Sequence, residues 1–142
     1  MSEASIQRAV FARLTTFSAL TSLLADGADS VYDHVPQSAK GEDNDPYPFV
    51  TIGDDTHSVW DTDDTDGLES SLTVHVWSRH RGRIEVKDIQ AKVKAALHHH
   101  PLPVDGVPVV LLHFVDSSAD RDPDGLTQHG VQGFRMLSEE VA

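Results

Sequence analysis

The densest acidic signals in this chain of 142 residues are Asp120-Arg121-Asp122-Pro123-Asp124-Gly125 and Asp61-Thr62-Asp63-Asp64-Thr65-Asp66-Gly67. Carboxylates spaced two apart before a glycine are how a calcium loop begins, because alternate residues of a tight turn point their oxygens at one centre. In the first stretch the twelfth position, where a bidentate glutamate is needed, is Val131, and a strand-like segment follows where a helix should stand. Asp-Gly before a strand is ordinary turn chemistry, and a turn is the expectation here. The second stretch has no bidentate ligand at the right distance and reads as an exposed hairpin loop, since charges so dense cannot pack inside.

Nine histidines invite a metal reading, most of all His98, His99 and His100. Consecutive residues of a helix point in different directions, so these three are not a ready chelate as an i, i+4 pair would be. At a helix C-terminus they read as a solvated cap, and no metal is expected. His75 and His113 fall on strand-like segments and read as half-buried, hydrogen-bonded side chains. Nucleophilic catalysis finds little support. There is no G-x-S-x-G elbow, no glycine-rich phosphate loop and no cysteine. Neither a catalytic residue nor a cofactor is expected.

Against a formal net charge of −12, the cluster Arg79, His80, Arg81 and Arg83 stands out. Such a balance argues against a protein that grips nucleic-acid backbone over its whole surface. It suits a surface that phosphates slide past, or simply solubility. Asp61, Asp63, Asp64 and Asp66 on one turn and Arg79, Arg81 and Arg83 on another could serve as complementary contacts between copies, and head-to-tail contacts of that kind close into rings when the rotation allows. The loop 36–48, with Glu42, Asp43 and Asp45 among three prolines, is a third candidate contact.

The elements that carry these turns can be read from periodicity. Leu68–Leu97 is the centre: Leu72, Val74 and Val76 alternate as in a strand, and after the arginine turn Val86, Ile89, Val93 and Leu97 recur at helical spacing. Ahead of it, Ile6, Val10, Leu14, Phe17, Leu20 and Leu24 predict one helix over Ser2–Ala25, stopped by Asp26-Gly27. A short strand is expected within Ser30–Val35, and a longer one over Phe49–Trp60 with Gly53 at a bulge or close approach. Behind it, the apolar run Val107–Val115 predicts a central strand, Ser117–Gly125 a polar loop, Leu126–Leu137 a last strand, and the final five residues a tail. The expected fold is α+β: a mainly antiparallel sheet of about four to five strands with two helices packed on one face, a single domain over 1–142. No stretch approaches the roughly 18–20 apolar residues of a membrane span. The amphipathic N-terminus is not a signal peptide, and a cytoplasmic origin fits.

Four segments, in order, carry a resemblance: LLADGADSVYDHVP, DPYPFVTIGDD, LTVHVWSRHRGRIEVKDIQAKVKAAL and SSADRDPDGLTQHGVQGFRM. With them the chain resembles the tail-terminator (tail-completion) family of long-tailed phages and gene transfer agents. That resemblance implies a structural virion protein: a homohexameric ring on the head-proximal end of the tail tube that stops tube polymerisation and meets the stopper or neck protein. It implies that DNA passes through the lumen without specific binding, and that the ring joins a tail or neck particle assembled in the bacterial cytoplasm. Six copies would carry a formal charge of about −72, which would not hold phosphates. Another neck component (a stopper or head-completion protein), or a small non-phage binding module or enzyme, is the alternative.

Overall fold

A computed structural model describes residues 2–36 and 46–141. Its main sheet has six strands: β1 (Val31–Tyr32), β2 (Phe49–Ile52), β3 (Thr56–Val59), β4 (Thr65–Ser78), β7 (Leu111–Arg121) and β8 (Gln128–Val141). The order is β1-β2-β4-β8-β7, with β3 also against β4; every pairing is antiparallel except the parallel β1–β2. A small hairpin of β5 (Pro103–Val104) and β6 (Val107–Pro108) stands apart. The helices are α1 (Glu3–Thr16), α2 (Ser18–Thr21) and α3 (Ile84–Leu97). The expected α+β class and antiparallel character hold.

The core lies between the helices and one sheet face. Ile6, Val10 and Leu14 of α1 and Val86, Ile89 and Val93 of α3 are buried against Val50, Leu72, Val74, Val76, Phe134 and Met136. Strand alternation puts Val74 and Val76 inward, leaving Thr73, His75 and Trp77 on the opposite face.

Several expectations are corrected. The first helix does not run to Ala25. Phe17 is extended, with φ −85° and ψ 96°, and splits it into α1 and α2. Before the break, the Thr15 and Thr16 hydroxyls donate to the carbonyls of Phe11 and Ala12, an interaction that bends helices. The strand expected over Phe49–Trp60 is two strands, because three residues, 53–55, stand opposite two on β4. Gly53 sits in this bulge, where a Cβ would lie 2.5 Å from the His75 ring, so the close approach is real.

The apolar run Val107–Val115 is not a central strand. Asp105 and Gly106, both at positive φ, turn Val107–Pro108 into the small hairpin. The strand that follows is β7, at the edge of the sheet. Within the run Val109 and Leu112 are buried while Val107, Val110 and Val115 are exposed, so it was never buried on both faces. The polar segment after it is no loop up to Arg121: Ser117–Arg121 continues β7 against Gln128–Gln132. An edge strand facing solvent carries polar residues, which composition alone reads as loop. The expected tail is also strand, since β8 runs to Val141 and pairs with the start of β4.

Candidate functional site

β4 decides where the charged turns sit. It is a strand of fourteen residues, with the acidic hairpin before it and the arginine turn after it. At about 3.3 Å per residue it holds the two turns roughly 45 Å apart. They cannot meet within one chain.

At the acidic end, Asp61, Asp63, Asp64 and Asp66 are exposed as expected. The turn itself is narrower than the sequence suggested, because β4 already begins at Thr65. Asp61 Oδ1 accepts the Gly67 amide at 2.8 Å, and the hydroxyls of Thr62 and Thr65 are hydrogen-bonded to each other. β8 then adds two carboxylates that sequence reasoning missed. Gly67 pairs with Glu139 and Asp66 with Glu140. The end of the sheet therefore gathers six carboxylates. Only the strand register reveals this; locally Ser138-Glu139-Glu140 is a short polar run, which a tail shares.

The arginine end is mixed rather than purely cationic. The Ser78 hydroxyl accepts the His80 amide at 3.0 Å and donates to Glu85 of α3 at 2.6 Å, which shapes the turn between strand and helix. Arg79 lies over the Tyr47 ring, 4.5 Å from its centroid, and donates to Thr127 Oγ1 at 3.3 Å. Arg81 and Arg83 are exposed. Beside them the turn between β7 and β8 presents Asp122 and Asp124. Asp124 Oδ1 accepts the amides of Leu126 and Thr127 and Oδ2 accepts the Thr127 hydroxyl, so this is the Asp-Gly turn expected. Those hydrogen bonds, Thr127's first, hold the Asp124 carboxyl below its ordinary range. Glu42, Asp43 and Asp45, the third candidate contact, lie outside the described residues.

Between the two ends, the sheet face opposite the helices carries a stack of rings. Trp77 and His129 are 3.8 Å apart and nearly parallel, and His129 Nε2 lies 2.7 Å from His75 Nδ1. One of these nitrogens must donate and the other accept, so a neutral pair satisfies the contact. Burial pushes both imidazoles below the usual histidine range. Asp54 opposes this at His75, and at His129 the His75 ring adds to it while Asp122 and Asp120 oppose it. A second group of rings forms where α3 ends: His98 and His99 meet His113 of β7. The sequence could not place it, because His113 comes fourteen residues after His99 and the chain leaves the helix at His98.

An open groove of about 740 Å³ runs between α1 and the edge strand β1, lined by Phe11, Val31 and Tyr32 among others. No helix among the described residues is long and apolar enough to cross a membrane.

The chain as a whole is similar to known proteins. The sequence profile of the family described as Tail completion protein gp17 matches residues 8–139. Tail completion protein gp17 of Bacillus phage SPP1 is 34% identical over 93 residues, covering 66% of this chain and 69% of the relative. Among solved structures, a chain in the virion of a native gene transfer agent particle is similar, with a TM-score of 0.80 over 98% of this chain and 100% of that one. Its identity of 23% makes that likeness one of fold.

Proposed function

This chain belongs to the tail completion protein gp17 family, and from that premise we propose that six copies close into a ring that caps the head-proximal end of a tail tube. As a member of the family it is a structural component of a phage-type tail, and its partners are other tail components. In the proposed mechanism one ring face pairs with the last ring of tube subunits. The other face offers no tube-like edge, so polymerisation stops there and the stopper or neck protein binds. DNA passes through the centre, and the particle is that of a phage or a gene transfer agent.

The observation that carries this reading is the separation of the charged ends along β4. Two acidic ends repel, so two-fold pairing of copies through that end is disfavoured. Contacts that join unlike ends are heterologous, and heterologous contacts generate rings when the rotation closes. The exposed Asp61, Asp63, Asp64 and Asp66 and the exposed Arg81 and Arg83, together with Arg79 and with Glu42, Asp43 and Asp45, are the proposed contacts to neighbouring copies or tail partners. A channel that shares the formal charge of −12 per chain would let DNA slide without adhering.

The test is mass in solution by light scattering, for the protein alone and mixed with its tail-tube protein. A hexamer, or a monomer that becomes a six-fold cap and halts tube growth, is expected. A persistent monomer that leaves tube growth unchanged would overturn the reading. Charge reversal refines it: Asp63→Lys with Asp64→Lys should weaken assembly. Restoration by adding Arg81→Glu and Arg83→Glu in the same chain would show that the two ends meet between copies, and no restoration would assign the acidic end to another tail protein.

A further inference from the structure

The end of α3 is held in an unusual way. His98 is the C-cap and its backbone turns extended, and the next residue, His99, takes the left-handed conformation with φ 59°. Glycine is the usual residue at such a position. The consequence is that two rings adjacent in sequence, which a continuing helix would aim apart, are stacked with centroids 3.8 Å apart. Both face His113, delivered by β7, and one nitrogen from each of the three rings lies within 4.8 Å of the others.

The hydrogen bonds sort these rings into roles. His98 Nδ1 accepts the Phe114 amide at 2.9 Å, so its lone pair is used and its proton sits on Nε2. His98 is thereby a positioning residue. His99 Nε2 and His113 Nδ1 face each other at 3.3 Å. That is long for a hydrogen bond of this type, whose usual separation is about 2.9 Å. It is, however, the spacing of two ligands on a tetrahedral metal: bonds of about 2.0–2.1 Å at the tetrahedral angle place neighbouring nitrogens about 3.3–3.4 Å apart. The backbone holds the pair in that relation from both sides. The His99 amide donates to the Leu112 carbonyl at 2.8 Å, and the Phe114 amide is tied to His98, so His113 is pinned between two cross-links to the end of α3.

We propose that His99 and His113 form a chelating pair for a borderline first-row divalent ion such as zinc, nickel or copper, with solvent completing the coordination. Imidazole donors without thiolates or carboxylates favour these ions over magnesium and calcium. The bound ion clips the end of α3 to the edge strand β7. Because His99 is exposed, the remaining coordination positions open to solvent.

Zinc alone is the probe, added to the full-length chain and followed by calorimetry and by thermal unfolding. One ion per chain is expected, with Tm raised by about 5 °C or more at saturation, because a ligand bound only to the folded state stabilises it. His113→Gln and His99→Gly should each weaken binding by about tenfold or more. Glycine suits the left-handed position, so His99→Gly keeps the fold even if His113→Gln does not. In the unaltered protein, the ring protons of His99 and His113 should shift together on zinc addition. His34→Gln, at an exposed histidine far along the chain, should bind as the parent does. No binding by the parent, equal binding by the His99 and His113 variants, or loss in the His34 variant would each overturn the proposal.

Discussion

On one face of the sheet Val74, Val76, Phe134 and Met136 are sealed beneath α1 and α3, none more than 1% exposed. On the other face the neighbouring residues of the same two strands, His75, Trp77, His129 and Arg135, remain half-buried or exposed and are organised by ring stacking and one ion pair. The same backbone thus supports two kinds of surface. One is close-packed and dominates stability. The other is more polar and less tightly packed.

The contrast is sharpest if a core ring is removed. Phe134→Ala should cost about 3–5 kcal/mol, from lost burial and the cavity left behind, measured by urea unfolding. A cost near 1 kcal/mol would mean that the helix layer closes over the gap and that the sealed face is softer than its burial implies. Next comes a pair of glycines on β8. A Cβ at Gly130 would lie 2.5 Å from Gln90 Nε2 and 2.6 Å from Val86 Cγ1 of α3. Gly130→Ala should therefore cost about 1–3 kcal/mol by overpacking. A Cβ at Gly133 would meet the Asp116 carboxylate at 2.6 Å, and that side chain is exposed and can swing aside. Gly133→Ala should cost less than about 1 kcal/mol. Equal losses for the two would erase the distinction between the faces.

A smaller effect belongs to pH. Because burial lowers the pKa of His75 and His129 below the ordinary 6.5, the unfolded chain binds protons that the folded chain resists. Stability is then full above about pH 6.5 and falls as pH drops through the lowered values. Unfolding midpoints measured from pH 8 down to pH 5 should decline, and His75→Gln with His129→Gln should flatten the decline. The unchanged slope of the double variant would move the effect elsewhere. Smallest is the ion pair of Arg135 and Glu69, 3.0 Å apart with both side chains over 40% exposed. Glu69→Gln should change stability by about 0–1 kcal/mol, less in high salt.

Much of the fold was legible before the structure, and the legible parts share a cause. α3 and the inner half of β4 were readable because Val86, Ile89, Val93 and Leu97, like Leu72, Val74 and Val76, each repeat the period of their own element. The acidic turn was readable because so many aspartates have no place but solvent. The misread parts have a different cause. The apolar Val107–Val115 suggested a centre, and the polar Ser117–Arg121 a loop, yet both lie on or beside one edge strand. An apolar residue need not be buried, as the exposed Val107, Val110 and Val115 show, and its hydrophobicity does not say how many strands flank it.

What this sequence determined by itself was local: the period of its most regular elements, the Asp-Gly turn at Gly125, the charge that keeps the surface wet, and a pattern specific enough to mark the family. The tertiary structure alone decided which residues share a place. It brought Glu139 and Glu140 to the acidic hairpin, stacked His129 on Trp77, and set His113 against His99. Each of these meetings depends on the register and order of strands far apart in the chain. Those are chosen by how the whole sheet packs against its helices, so no window of sequence contains them.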